Sequence, residues 1–253
     1  MVRPTGGGRV IAFLGELGAW FTDPAHWTGT DSIPLRLGEH IGLSVGGLGL
    51  AMLVAFPLGL FIGHTGRGAS VVVGASTIGR AIPSVAILGL AFPVTLTLGW
   101  GLGVPPTLLA LMILAIPPIL TNLYVGLREV DPELRDAATG SGMSGRQLLG
   151  QVEWPLALPL ALAGMRTAAV TVVATATIGA ILSTGGLGRY IIDGIAQQDY
   201  PKMVAGAVLV MLLAFAVEGL FAILQRRAVS PGLQRHARPG GVLATPEGRA
   251  GGG

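Results

Sequence analysis

Five stretches of this chain are apolar over the roughly 20 residues that a helix needs to cross a bilayer: residues 40–62, 76–98, 105–125, 158–182 and 203–224. In hydrocarbon, every backbone N–H and C=O has to be paired within the protein, which restricts such stretches to helices. The expected architecture is an all-α integral membrane protein built as a five-helix transmembrane bundle. Composition agrees, with 11% charged residues and a mean hydropathy of +0.69, where soluble domains carry about 25% charged residues. Pro83 and Pro93 fall in the second stretch, and Pro117 and Pro118 in the third. Proline removes a helical hydrogen bond, but neighbouring helices can satisfy the freed carbonyl. These prolines are therefore expected to kink their helices, either shaping a cavity or only bending a packed helix.

Several function classes drop out. The chain has no cysteine, so it has neither a disulfide framework nor a thiolate metal site. His26, His40, His64 and His236 are scattered with no ligand spacing, so no metal site is expected. Nucleic-acid binding would need a basic face interleaved with aromatics, and the arginines here sit in loops and at helix ends instead. No acid, base and nucleophile cluster together, which argues against a membrane enzyme. No Gly-x-x-x-x-Gly-Lys-Ser/Thr phosphate loop exists, and Lys202 is the only lysine. The chain is not expected to hydrolyse ATP itself or to hold a cofactor.

Charge sets the expected topology. Arg67 lies between the first and second stretches, and Arg128, Arg135 and Arg146 between the third and fourth. Arg226, Arg227, Arg235 and Arg238 follow the fifth. The positive-inside rule puts loop 127–159 and the C-terminus in the cytosol, and five spans put the N-terminus outside. Arg3, Arg9 and Arg36 pull mildly the other way. Three regions result: an extracytoplasmic or interfacial segment (1–37), a transmembrane domain (38–228) and a disordered cytosolic tail (229–253). Within the first, residues 10–21 are too few to span. They read as an interfacial helix with Trp20 and Trp27 at headgroup depth, or as a signal-peptide core.

Loop 127–159 is unlike its surroundings. Asp131 before Pro132 gives an N-cap acceptor followed by proline at the first helical position. Glu133 complements the helix dipole. A short helix over 132–139 is expected, ending in Gly140-Ser141-Gly142. Ser144 with Gln147 makes a capping box for a second short helix, ending before Pro155. The loop is thus a helix-turn-helix at the membrane surface, with small residues at Ala137, Ala138 and Gly142.

The run Asp136-Ala137-Ala138, then Gly142 and later Pro155, resembles the EAA loop of ABC importer permeases, with Asp where that family usually has Glu. Gly79-Arg80-Ala81-Ile82-Pro83-Ser84, Leu156-Ala157-Leu158-Pro159, Ala163-Gly164-Met165-Arg166-Thr167-Ala168 and Gly185-Gly186-Leu187-Gly188 resemble the osmoprotectant branch of those permeases. The resemblance covers residues 38–228. It implies a type I ABC importer permease carrying glycine betaine, choline, carnitine or proline betaine. It also implies an ATP-binding cassette subunit as motor, an extracytoplasmic substrate-binding protein, and a second permease subunit, identical or sister. The expected coupling residues are Asp136, Ala137, Ala138, Gly142, Met143, Ser144 and Pro155. A permease for methionine or another small solute, and an ion-coupled secondary transporter, remain as alternatives. The latter calls for paired repeats with broken helices.

Three charges lie within or near the apolar stretches: Arg80, Arg166 and Glu218. Such a charge costs at least about 2.5 kcal/mol at the bilayer centre and usually pairs or lines a wet path. Glu218 lies about 12 Å before Arg226, and Arg166 about 10 Å after Pro159, along their helices. Both distances run from the cytosolic side, so the two can pair at one level, or each can snorkel to its own interface. Gly185, Gly186 and Gly188 read either as an outer gate or as a simple turn. Ser84, Asn122, Thr175 and Thr177 are candidate pore-lining groups.

Overall fold

The computed structural model describes residues 6–70, 72, 74, 79 and 81–228, and all secondary structure among them is helical. In chain order the helices are α1 (Gly6–Thr22), α2 (Ile33–Thr65), α3 (Ser84–Thr97), α4 (Val104–Arg128), α5 (Pro132–Gly140), α6 (Gly145–Leu148), α7 (Trp154–Ala176), α8 (Gly188–Gln197) and α9 (Tyr200–Ala228). Four helical runs among the described residues are long and apolar enough to cross a membrane: Ile33–Thr65, Val104–Arg128, Gly145–Leu182 and Tyr200–Ala228. The second expected span is represented by α3, an apolar helix of 14 residues. Residues 76–78 and Arg80 of that span lie outside the described residues, as does the expected tail 229–253.

The centre of the bundle is α2, α4 and α7, packed through small side chains. Ala51, Ala55, Ala115, Ala168 and Val172 are buried together with Leu111 and Ile119. Lipid tails are as apolar as leucine, so helices in a membrane associate by close packing rather than by escape from water. Glycines of α2 carry this furthest. A methyl group on Gly63 would stand 2.8 Å from Leu127 Cβ, and one on Gly59 3.1 Å from Leu123 Cγ. The Gly-x-x-x-Gly spacing at 59–63 is therefore a real seam, while Gly42 faces open space. Gly63→Val is expected to cost about 1–3 kcal/mol by overpacking, read as a lower melting temperature in detergent.

Two proline expectations need correction. Pro83 does not kink a helix. It sits at φ −59°, ψ 135°, as the N-cap of α3, and this extended ψ interrupts the helix outright. Pro93, Pro117 and Pro118 do lie inside helices. The second loop helix, expected to stop before Pro155, instead runs on into the membrane. After α6 the chain makes a π-helical turn, Leu149–Glu153, in which the Trp154 N–H bonds the Leu149 carbonyl, and α7 follows directly. The wider winding gives the Pro155 ring room where a regular helix would clash.

At the opposite end, α2 begins at Ile33, with Ser32 as N-cap and proline in its first turn. That is upstream of the apolar stretch, so its first turns carry Arg36, Glu39 and His40. Arg36 bridges Asp31 at 2.8 Å and Glu39 at 2.9 Å. The Tyr190 hydroxyl donates to the Asp31 carbonyl at 2.6 Å. Burial first, then the nearby Asp31 charge, pushes this phenol up to about 12, so it stays a donor at physiological pH. Helix α1 packs on α9 through Leu17, Phe21, Leu209 and Leu213. Trp20 does not lie on a free surface of the protein. It is 7% exposed, stacked on His26 and set edge-on to Tyr190. Trp27 is half exposed, and its indole N–H donates to the Phe21 carbonyl.

Candidate functional site

The surface loop is built by local chemistry. Asp131 Oδ1 accepts from the Glu133 N–H at 2.9 Å and starts α5. At its end the Gly142 N–H bonds the Thr139 carbonyl, the Met143 N–H bonds the Ala138 carbonyl, and Gly142 adopts φ +88°. This is a Schellman cap, which requires the left-handed conformation at that glycine. Gln147 Oε1 then accepts from the Ser144 N–H at 2.9 Å, closing the next turn. Asp136, Ala137, Gly142 and Ser144 are exposed, Met143 is half-buried, and Pro155 is exposed at the root of α7. Ala138, on the inner face of α5, is only 9% exposed.

A charge cluster that the sequence reading missed lies beneath the loop. The Glu153 side chain, 1% exposed, stands at the end of the π turn. Its Oε2 accepts from His64 Nδ1 at 2.6 Å, and its Oε1 lies 3.3 Å from Arg135 Nε. Arg135 also donates to the Leu127 carbonyl. Leu149 and Trp154 pack over Leu123 and Leu127 alongside it.

Within the membrane region, Arg166 of α7 and Glu218 of α9 form a bidentate pair. Nε lies 2.8 Å from Oε2, and the second nitrogen meets Oε1. Nearer the loop side, Gln225 Nε2 donates to the Pro159 carbonyl at 3.3 Å, adding a second polar tie between the same helices. Each Arg166–Glu218 side chain is partly exposed, at 35% and 39%.

At the other end of the bundle, Gly185 and Gly186 take φ +84° and +75° and turn the chain. Glu39 of α2 reaches across, and its Oε2 accepts from the Gly186 N–H at 2.7 Å. The buried His40 Nε2 lies 2.9 Å from the Val173 carbonyl in α7. Gly188 meets the backbone of Thr177 so closely that a methyl group there would lie 2.7 Å from the Thr177 Cα.

A cavity of about 300 Å³ opens at the paired prolines of α4, lined by Leu114, Pro117, Pro118, Thr121, Asn122 and Thr171 among others. Pro117 and Pro118 therefore border a cavity. Pro117 and Pro118 carry no N–H, so neither closes the usual helical hydrogen bond at this wall. Asn122 Nδ2 donates to the Pro118 carbonyl. Ser84 and Thr175 face a far smaller crevice of about 10 Å³, and the Thr177 hydroxyl is bonded to the Ala174 carbonyl.

Residues 55–230 match the profile of the family described as binding-protein-dependent transport system inner membrane component. The chain is 34% identical over 199 residues to the glycine betaine/carnitine/choline transport system permease protein of Bacillus subtilis (strain 168), covering 79% of this chain and 89% of that one. It is 37% identical over 187 residues to an osmoprotectant import permease protein of Salmonella typhimurium, covering 74% and 87%. In fold it is similar to the inward-facing methionine ABC transporter MetNI, with a TM-score of 0.69 at 20% identity over 83% of this chain and 100% of that chain.

Proposed function

Since the chain belongs to the family of binding-protein-dependent transport system inner membrane components, we propose that its cargo is an osmoprotectant of the glycine betaine, carnitine or choline kind. The chain is the multi-pass translocation subunit of an ATP-driven importer, with ATP hydrolysis on a separate subunit. The observation that carries the mechanism is the capped helix α5, presenting Asp136 and Ala137 outward beside the Gly142 turn. In our reading this is the surface an ATP-binding subunit grips, with Met143 and Ser144 at its edge and Pro155 at the hinge to α7. A short stiff helix joined by the Gly142 turn to α6, which runs on into the membrane helix α7, suits rigid-body transmission. An extracytoplasmic binding protein delivers the solute, and a second permease subunit, identical or sister, completes the pathway. The loop faces the cytosol, the N-terminus lies outside and the C-terminus inside, as loop arginines favour.

The solute class rests on the relatives, whose names state glycine betaine, carnitine, choline or osmoprotectant. The amide and hydroxyls at the α4 cavity suit a polar zwitterion. Quaternary ammonium groups are usually held by aromatic cages, and only 6% of this chain is aromatic, so selectivity resides with the binding protein. The Gly185–Gly188 turn, clasped by Glu39, is the outer gate in this reading.

The test is co-purification with labelled uptake. The tagged chain should bring down an ATPase, and labelled glycine betaine, choline or carnitine should enter proteoliposomes faster than methionine. Gly142 has two roles to separate. Any side chain at φ +88° is strained by about 1–2 kcal/mol, though asparagine tolerates it best. Nothing lies within 4 Å of a methyl group there. Gly142→Asn should therefore keep expression near normal, whereas Gly142→Trp should lower ATPase recovery at least tenfold. If no ATPase is recovered and Gly142→Trp still transports, the importer reading is wrong.

A further inference from the structure

We infer that Glu153 is a positioning residue for transport: the buried carboxylate that locks the surface loop to the loop-side ends of α2 and α4, so that displacement of the loop reaches the membrane helices undiminished. The inference rests on the reading of α5 as the surface gripped by the motor. It begins with placement. A carboxylate with 1% of its side chain exposed has lost its hydration and has to be held by charge and hydrogen bonds. Here its two oxygens serve different elements. Oε2 takes the proton of His64 Nδ1, in the last turn of α2, at 2.6 Å. That nitrogen donates in the Nδ1–H tautomer and in the imidazolium alike. Oε1 faces Arg135 Nε of α5 at 3.3 Å. Arg135 in turn donates to the Leu127 carbonyl near the end of α4. Glu153 itself sits at the foot of α7. One carboxylate therefore joins the last turn of α2, the middle of α5 and the foot of α7 directly, and α4 through Arg135.

Two further approaches flank this junction, and a change of winding marks it. His64 also lies near the loop at a second point, where a methyl group added to Gly145 would stand 3.4 Å from Nε2. Phe56 of α2 meets Trp154 ring to ring at 5.6 Å, one residue beyond Glu153. The π turn over Leu149–Glu153 changes the winding just before the carboxylate. Single π turns inside α-helices are frequently found at functional sites. Glu153 and His64 are 89 residues apart in sequence, so no local structure requires their contact.

The chain has no cysteine, so Arg67→Cys and Ser141→Cys place unique spin labels on two exposed positions. One follows the end of α2, and the other lies at the tip of the loop. In the assembled transporter, the label-to-label distance should stay constant between nucleotide-free and ATP-bound states. With Glu153→Gln added, which keeps the shape and an acceptor for His64 but removes the charge facing Arg135, that distance should shift or broaden by several ångströms on ATP binding. The number of solute molecules imported per ATP hydrolysed should fall at least fivefold. Arg135→Lys, which keeps the charge but cannot reach both Glu153 and the Leu127 carbonyl, should fall between. The inference is overturned if the unsubstituted transporter already changes this distance on ATP binding. It is equally overturned if Glu153→Gln keeps both the distance and the import ratio, or if it lowers uptake and ATP hydrolysis in proportion. Failure to recover an ATPase with the unsubstituted chain would count against the importer reading instead.

Discussion

Glu218→Leu should markedly destabilise the chain, and adding Arg166→Leu should restore most of what is lost. The pair is bidentate and lies inside apolar helices, where an unpartnered arginine costs about 2.5–3.5 kcal/mol on insertion scales. Both side chains are more than a third exposed in the single chain, so water or a neighbouring subunit can relieve part of that cost. The expected loss for the single variant is therefore about 2 kcal/mol, somewhat below that range. Removing both charges leaves apolar side chains in an apolar setting and should bring stability back to within about 1 kcal/mol, since two apolar groups in place of an ion pair are often neutral. The measurement is a double-mutant cycle on unfolding in mixed micelles, with the coupling energy as readout. A coupling near zero would mean that each group reaches its own interface, and that the pair contributes nothing to joining α7 and α9.

What could be read from the sequence divides by range. The caps of α5 were legible because Asp131-Pro132 and Gly140-Ser141-Gly142 act on backbone groups two to five residues away. The level shared by Arg166 and Glu218 was open to counting because helical rise is fixed, although whether they would pair or snorkel was not. The start of α2 carried a local signal, Ser32-Ile33-Pro34, that hydropathy hides because the first turns are polar. Pro83 and Pro93 could not be told apart, since one breaks a helix and the other lies within one for reasons set by the neighbours. Continuation through Pro155 needed a π turn, which no residue pattern announces. The Glu153–His64 and Glu39–Gly186 contacts bridge 89 and 147 residues. Hydropathy saw Glu153 only as a polar residue next to a span. The Gly59–Gly63 seam was present in the sequence, but in a chain with 41 glycines the spacing alone carries little information.

The glycine turn at the far end of the bundle separates two kinds of glycine, and the largest single-residue loss is expected there. Gly188 opens α8, and its backbone is pressed against that of Thr177. A methyl group would lie 2.7 Å from Cα and 2.9 Å from the carbonyl carbon of Thr177. Neither atom can rotate away, because both belong to the main chain where α7 passes into the 3-10 turn Thr177–Leu182. Gly188→Ala must therefore push α8 off the start of this 3-10 turn, and with it Leu187 and Tyr190, which are buried against Trp20 and Ala205. Overpacking usually costs about 1–3 kcal/mol and occasionally more; a backbone clash that displaces a whole helix belongs at or above the upper end. Gly185 makes the opposite case. Its methyl group would meet the carboxylate of Glu39, the free end of a side chain that can swing aside, so Gly185→Ala is left with the strain of φ +84°, about 1–2 kcal/mol. Glu39 would then lose its bond to the Gly186 N–H, which loosens the turn without unseating α8. Melting of the two variants in detergent should rank them, with Gly188→Ala the lower. Gly185→Ala should still reach the membrane and should change uptake more than stability if this turn gates the outer side. Equal melting temperatures for Gly188→Ala and the unsubstituted chain would show that α8 and the 3-10 turn after α7 do not approach this closely in the membrane.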